Sequence, residues 1–182
     1  MLKIIIPETE FFNSQTNEFF TAKEVILSLE HSLVSLSKWE SKWKKPFLSD
    51  VPKTREETID YIKCMTITQN VPNDVYSRLP LSCIDEVQKY IDDTMTATWF
   101  SDEKDSKPKR KKEVITAELI YYWMITYGIP FECQKWHLNR LLTLIKVCNA
   151  KNAPPPKVSK SERFKQQREL NERRKAALHT RG

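Results

Sequence analysis

Glycine stands at only two of 182 positions, Gly128 and the terminal Gly182. Glycine reaches positive φ without steric cost, so its scarcity removes most tight hairpin turns and argues against a β-sandwich. It also removes phosphate-cradling loops, because neither GxGxxG nor a Walker A motif can be written from this chain. The length sets a prior of one domain, or little more. Apolar content of 40%, with 10% aromatics, suffices for one core. The expectation is a mainly α fold: a helical domain with a small N-terminal β-hairpin and a C-terminal extended basic helix.

Charge is segregated along the chain. Lys157–Gly182 holds nine Lys/Arg against three Glu, and the other 156 residues hold 21 basic and 21 acidic side chains. A neutral body with a cationic arm is more readily a binding architecture than a catalytic one. Cys64, Cys83, Cys133 and Cys148 include no CxxC pair, so zinc ligation has no local ligand pair, and the thiols read as small buried hydrophobes in a reducing cytosol. Met1–Pro7 lacks the charged lead and cleavage site of a signal peptide. The longest apolar run, Leu119–Ile125, is far below the roughly 20 residues that span a bilayer, so no membrane partner is expected.

Residues 2–6 (LKIII) read as a strand stopped by Pro7. Phe11-Phe12 and Phe19-Phe20 flank the polar cluster Asn13–Asn17, which predicts a hairpin with aromatic ends. Thr21 and Glu24 have capping-box spacing, and Ala22, Val25, Ile26, Leu29, Leu33, Leu36 and Trp43 follow at helical spacing. A helix is therefore expected from Thr21 to Lys44-Lys45-Pro46, with its serines allowing a break near His31. Thr54 and Glu57 form a second capping box opening a helix to about Gln69. Pro72 can start a short turn of helix, and Leu81 or Ser82 opens one with Ile84, Val87 and Ile91 on one face. Thr94–Phe100 reads as extended, and Ser101–Lys112 as a solvated charged loop rather than a nucleic-acid or nuclear-import patch. Ala117–Tyr127 is apolar on every side and is expected to be central. Gly128 and Pro130 should cap it and turn the chain into Gln134–Lys151 as an antiparallel helical hairpin. The resulting organisation is a body over 1–152, a proline-rich spacer over 153–158 and a basic helical arm over 159–182. Ser159 and Glu162 provide a third capping box at the arm's start.

Chemistry-bearing constellations are few. Cys133 and His137 are four residues apart, but no orienting group or oxyanion site accompanies them, so His137 reads as structural. His31 falls on the polar side of its expected helix and reads as surface, and His179 lies in the arm. Glu56-Glu57 and Asp85-Glu86 suit helix starts, and Asp92-Asp93 a turn, better than acid–base catalysis. Trp39 and Trp43 stand one turn apart among Lys38, Lys42, Lys44 and Lys45, an interleaving found in base-stacking platforms. The preferred reading is a helix end that packs its rings and solvates its lysines. No catalytic residue, cofactor site or metal site is assigned.

From about Glu113, EVITAELIYYWMITYGIPFECQKWHLNRLLTLIKVCNAKNAPPP is similar to proteins encoded in the tail-morphogenesis region of siphophages of Gram-positive hosts. IPETEFF, LEHSLVSLSKWESKWKKPFL, ETIDYIKCMT and MTATWF extend the resemblance over most of the chain. The pattern resembles tail assembly chaperones. It implies a non-enzymatic bacteriophage protein, acting in the host cytoplasm during virion morphogenesis, that binds the rod-like tape measure protein and recruits tail tube subunits. A homo-oligomer is compatible with it. The alternatives are a structural tail or connector subunit within the virion, and a nucleic-acid-binding regulator, the latter weakened by the arm's three glutamates. Charge and capping make the arm the candidate contact surface: Lys160, Arg163, Lys165, Arg168, Arg173, Arg174 and Lys175 for electrostatics, Phe164 and Leu170 as anchors.

Overall fold

Four short strands open the chain: Leu2–Ile6 (β1), Thr9–Asn13 (β2), Glu18–Ala22 (β3) and Val25–Leu29 (β4). This computed structural model describes residues 1–13, 17–98, 100, 114–153 and 160–178. β1 pairs antiparallel with β4, Ile4 opposite Leu27, and β2 pairs with β3, Phe12 opposite Phe19. The four strands form a nested arrangement of two separate two-stranded sheets, with Pro7-Glu8 between β1 and β2 and Lys23-Glu24 between β3 and β4. The β1–β4 sheet turns Ile4, Ile6, Leu27 and Leu29 into the core and leaves Ile5 and Ile26 exposed, the period of two that a half-buried sheet requires. The aromatic-ended hairpin is where the sequence places it.

The helix expected from Thr21 is corrected. Val25, Ile26 and Leu29 fit a helical period, but Val25, Leu27 and Leu29 fit a strand period as well, and β1 needs a partner for its backbone donors and acceptors. The helix begins only at Leu33 (Leu33–Trp43, α1), capped by Ser32 in a capping box with Ser35. Serines that lower helix propensity in the interior here start the helix. Lys44, at φ 53°, ends it.

Arg55–Met65 (α2) starts at the Thr54 capping box: Glu57 N–H donates to Thr54 Oγ1 (3.2 Å), and Thr54 N–H donates to Glu57 Oε2 (2.8 Å). Thr54→Ala should cost about 1 kcal/mol in urea unfolding, the usual worth of such a cap. α2 stops short of Gln69 because the following residues run along the outer edge of β4. Ile67 N–H donates to Ser28 O (2.8 Å), Glu30 N–H to Met65 O (2.9 Å), and Ser28 N–H to Thr68 Oγ1 (2.9 Å). An otherwise open sheet edge is thereby closed. Asn73–Ser77 (α3) follows Pro72, as the sequence signals, and Leu81–Asp92 (α4) opens at Leu81, one of the two expected starts, directly after Pro80. α4 buries Cys83, Val87 and Tyr90, with Ile84 and Ile91 on the flanks.

Ala117–Thr126 (α5) starts at Thr116, but it is not central. It buries one stripe, Ala117, Ile120 and Met124, and leaves Tyr122 and Ile125 more than half exposed (61% and 65%). Its principal neighbour is α1. At its end Gly128 N–H donates to Ile125 O (3.2 Å) and Ile129 N–H to Met124 O (2.8 Å). These are the two bonds of a Schellman cap, and Gly128 holds the left-handed position at φ +63°. No atom lies within 4 Å of where its Cβ would stand, so conformation alone selects glycine. The chain does not turn directly into an antiparallel helix. A short 3-10 helix, Phe131–Lys135, packs on α1, and His137 then bridges to Ser32 before Leu138–Asn152 (α6) begins.

One buried carboxylate joins three segments. Glu40 on α1 accepts from Phe47 N–H (2.8 Å) and from Ala117 N–H (2.8 Å), the first amide of α5. It thereby caps α5 from another element. Contacts divide the chain into Met1–Cys148 and Asn149–Gly182, the latter holding Lys160–Leu178 (α7). The charged segment 101–112, the proline run 154–156, Ser159 of the third capping box, Trp99 and His179 lie outside the described residues. Thr94–Thr98 carries no regular secondary structure.

Candidate functional site

α7 is a helix of 19 residues, longer than the roughly 12–15 below which isolated helices are marginal in water. Arg163, Phe164, Lys165, Arg168, Leu170, Arg173, Arg174 and Lys175 are all exposed on it. Phe164 is 69% exposed and Leu170 48%, so neither anchor is spent on a core. Lys160 opens the helix, and its side chain lies outside the described set. Phe164, Gln167, Asn171, Arg174 and Leu178 follow steps of three and four and share one face, with Leu170 and Ala177 beside it. The opposite face carries Lys165, Glu169, Glu172 and Arg173. The nominated residues therefore form an exposed helical surface on which Phe164 and Leu170 stand among cations, Arg174 on the same face as Phe164.

The tryptophan–lysine feature of the body is committed internally. Trp39 is buried and its indole N–H donates to Glu57 O (2.9 Å); Trp43 stacks on it, donating to Asp60 Oδ2 (2.9 Å). Lys42 pairs with the other Asp60 oxygen, and Lys45 reaches Glu57 Oε1 (2.6 Å). That contact, with the Thr54 amide, holds the Glu57 carboxyl below its ordinary range. Rings and cations that resemble a base platform in the sequence are the packing of α1 on α2.

His31 is not on the surface. It is 1% exposed, at the junction of β4, α1, α2 and α6. Its Nδ1 meets the Tyr61 hydroxyl at 2.6 Å, its carbonyl accepts from Leu138 N–H (2.7 Å), and its ring stands edge-on to His137 at 5.1 Å. Burial, then the neighbouring His137, pushes its pKa down to about 3. His137 places Nε2 against the Tyr90 carbonyl (2.9 Å), which an Nε2–H satisfies, and its buried Nδ1 has no hydrogen-bond partner. Cys133 is buried and is not hydrogen-bonded to His137, so the four-residue spacing does not assemble a nucleophile pair. Burial raises the Cys64 and Cys83 thiols, away from the thiolate that reaction requires. The burial of His31 and the role of Glu40 have no signal in local sequence, since each depends on partners from other elements.

The carboxylate pairs are likewise accounted for. Asp92 holds Gln88, Asp93 Oδ1 accepts from Met95 N–H (2.8 Å), and Asp85 and Glu86 are exposed on α4. An open groove of about 410 Å³ between α1 and the end of α2 is lined by Glu30, Lys38, Cys64, Ile67 and Lys135 among others. Among the described residues no three His, Cys, Asp or Glu side chains converge to hold a metal ion, and no helix is long and apolar enough to cross a membrane. No protein-family model, curated protein or solved structure matches this chain.

Proposed function

We propose that this protein is a non-enzymatic bacteriophage assembly factor of the tail-chaperone kind, working by protein–protein contact through α7. The observation that carries the proposal is a helix specified over 19 residues whose described side chains are all exposed, Phe164 and Leu170 included. A helix that buries nothing gains no stability from a core, and its apolar anchors are accounted for by a partner. On the resemblance read in the sequence to siphophage tail-morphogenesis proteins, that partner would be the tape measure protein, with tail tube subunits recruited around it. The cationic surface of α7 suits an acidic stretch of a helical rod.

Co-expression with the tape measure protein tests this. Full-length chain should be retained on a tagged tape measure, and Phe164→Ser/Leu170→Ser should reduce retention several-fold without altering the helical content. Equal retention of both would end the α7 assignment. The same preparation separates the virion reading: mass spectrometry of purified particles should lack this protein, whereas a tail or connector subunit would be present at fixed copy number.

A further inference from the structure

The chain displays two apolar surfaces that its described residues leave open, and their charges are opposite. One is the β2–β3 arm. No third strand joins it among the described residues, and two-stranded ribbons alone are marginally stable in water. Phe12 and Phe19 stand across its strands with ring centroids 5.0 Å apart, yet remain 53% and 74% exposed. Residues 8–24 carry four glutamates against one lysine, and Glu8, Glu10 and Glu24 are exposed. The other surface is α7, where seven cations outnumber three glutamates around exposed Phe164, Leu170 and Leu178.

We infer that the protein self-associates head to tail, the acidic aromatic arm of one copy docking on the cationic helix α7 of the next. Arm against arm would set glutamates against glutamates, and α7 against α7 would set arginines against arginines, so both two-fold pairings are opposed by like charge. Arm against α7 opposes unlike charges, covers Phe12 and Phe19 together with Phe164 and Leu170, and places arginines over aromatic faces. Such a contact joins different patches on the two copies, so it propagates into rings or open chains rather than stopping at a symmetric dimer. The inference needs no tail protein, but it uses the same face of α7 as the function proposed above, so self-association and partner binding would compete for Phe164 and Leu170.

Sedimentation velocity on the full-length chain tests it. At about 50 mM salt the mass should exceed the 21.5 kDa of one chain, and it should fall toward one chain at about 500 mM as screening weakens the charge contact. Phe12→Ser/Phe19→Ser and Arg168→Glu/Arg174→Glu should each be monomeric alone. Mixed in equal amounts they should form a one-to-one dimer, because each supplies the surface the other lacks. Should serine at the arm disturb the ribbon itself, Glu8→Lys/Glu10→Lys gives a second reading with the phenylalanines intact. It should be monomeric alone, and associated again when combined in one chain with Arg168→Glu/Arg174→Glu. A monomeric parent protein at low salt, either double variant associating like the parent, or a mixture that stays monomeric would each overturn the inference.

Discussion

Glu40→Ala is expected to lower the stability of the body by about 3–5 kcal/mol, well beyond the loss of any single helix cap. Glu40 is 8% exposed, and its two carboxylate oxygens are each given to a different backbone donor. Alanine leaves Phe47 N–H and Ala117 N–H buried with nothing to accept them, and each orphaned donor carries its desolvation cost. It also opens a void between α1 and α5, and the Ala117 amide is one that α5 cannot satisfy within itself. Glu40→Gln should fall between parent and alanine, since the amide oxygen takes one donor while its NH₂ must face the other. Urea unfolding should show the midpoint moving with little change in slope, which marks a change of stability rather than of the unfolded ensemble. Hydrogen exchange at Phe47 and Ala117 gives the local reading. If both amides keep parental protection in Glu40→Ala, Glu40 does not cap α5. Against the roughly 5–15 kcal/mol typical of a domain, the loss is a large fraction of the whole.

The second large effect is with pH. His31 has a pKa of about 3 in the fold against an ordinary 6.5, so it is neutral in the folded protein. Below pH 6.5 the unfolded chain takes up a proton that the folded protein refuses. The stability held by this group is complete above about 6.5 and drains away as pH falls toward 3. Between about pH 7.5 and 5 the linkage amounts to about 2 kcal/mol. Glu57, held low chiefly by Lys45, adds a loss of the same sign, but only as pH falls through and below the usual carboxylate range. The window from about 6.5 to 5 therefore separates histidine titration from that of the carboxylates, and the His31 variant assigns the share that belongs to His31. His31→Gln, which keeps a polar partner for Tyr61, should flatten the dependence of the urea midpoint on pH in that window. An unchanged slope would show that the proton goes elsewhere.

Local chemistry is legible wherever one segment decides its own conformation. The Thr54 cap, the start after Pro72, the opening at Leu81, the left-handed Gly128 and the hairpin between Phe12 and Phe19 all follow from neighbours a few residues apart. The misreadings come from segments with two compatible periods. Residues 25–29 fit a helix and a strand, and the choice is made by Leu2–Ile6, about 20 residues away, whose edge must be paired. α5 reads as central from its unbroken apolar run, yet a helix buries only the face its neighbour reaches, here the stripe 117, 120 and 124 against α1. A polar helix face for His31 depends on a helix that runs through residue 31. With the helix starting at Leu33 that face does not exist, and the ring turns inward to Tyr61 and His137.

The arm divides the same way. Its charge, its helix-forming composition and its thin apolar content are properties of residues 157–182 alone, and they determine that it is a cationic helix without a core of its own. That Phe164 and Leu170 remain exposed along it, and that an acidic aromatic ribbon stands exposed at the other end of the sequence, is visible only in three dimensions. Backbone propensity and capping act over three or four residues, so the sequence determines them directly. Burial, strand pairing and the partners of Glu40 and His31 are set by surfaces that meet only when distant segments fold together, and these the tertiary structure decided.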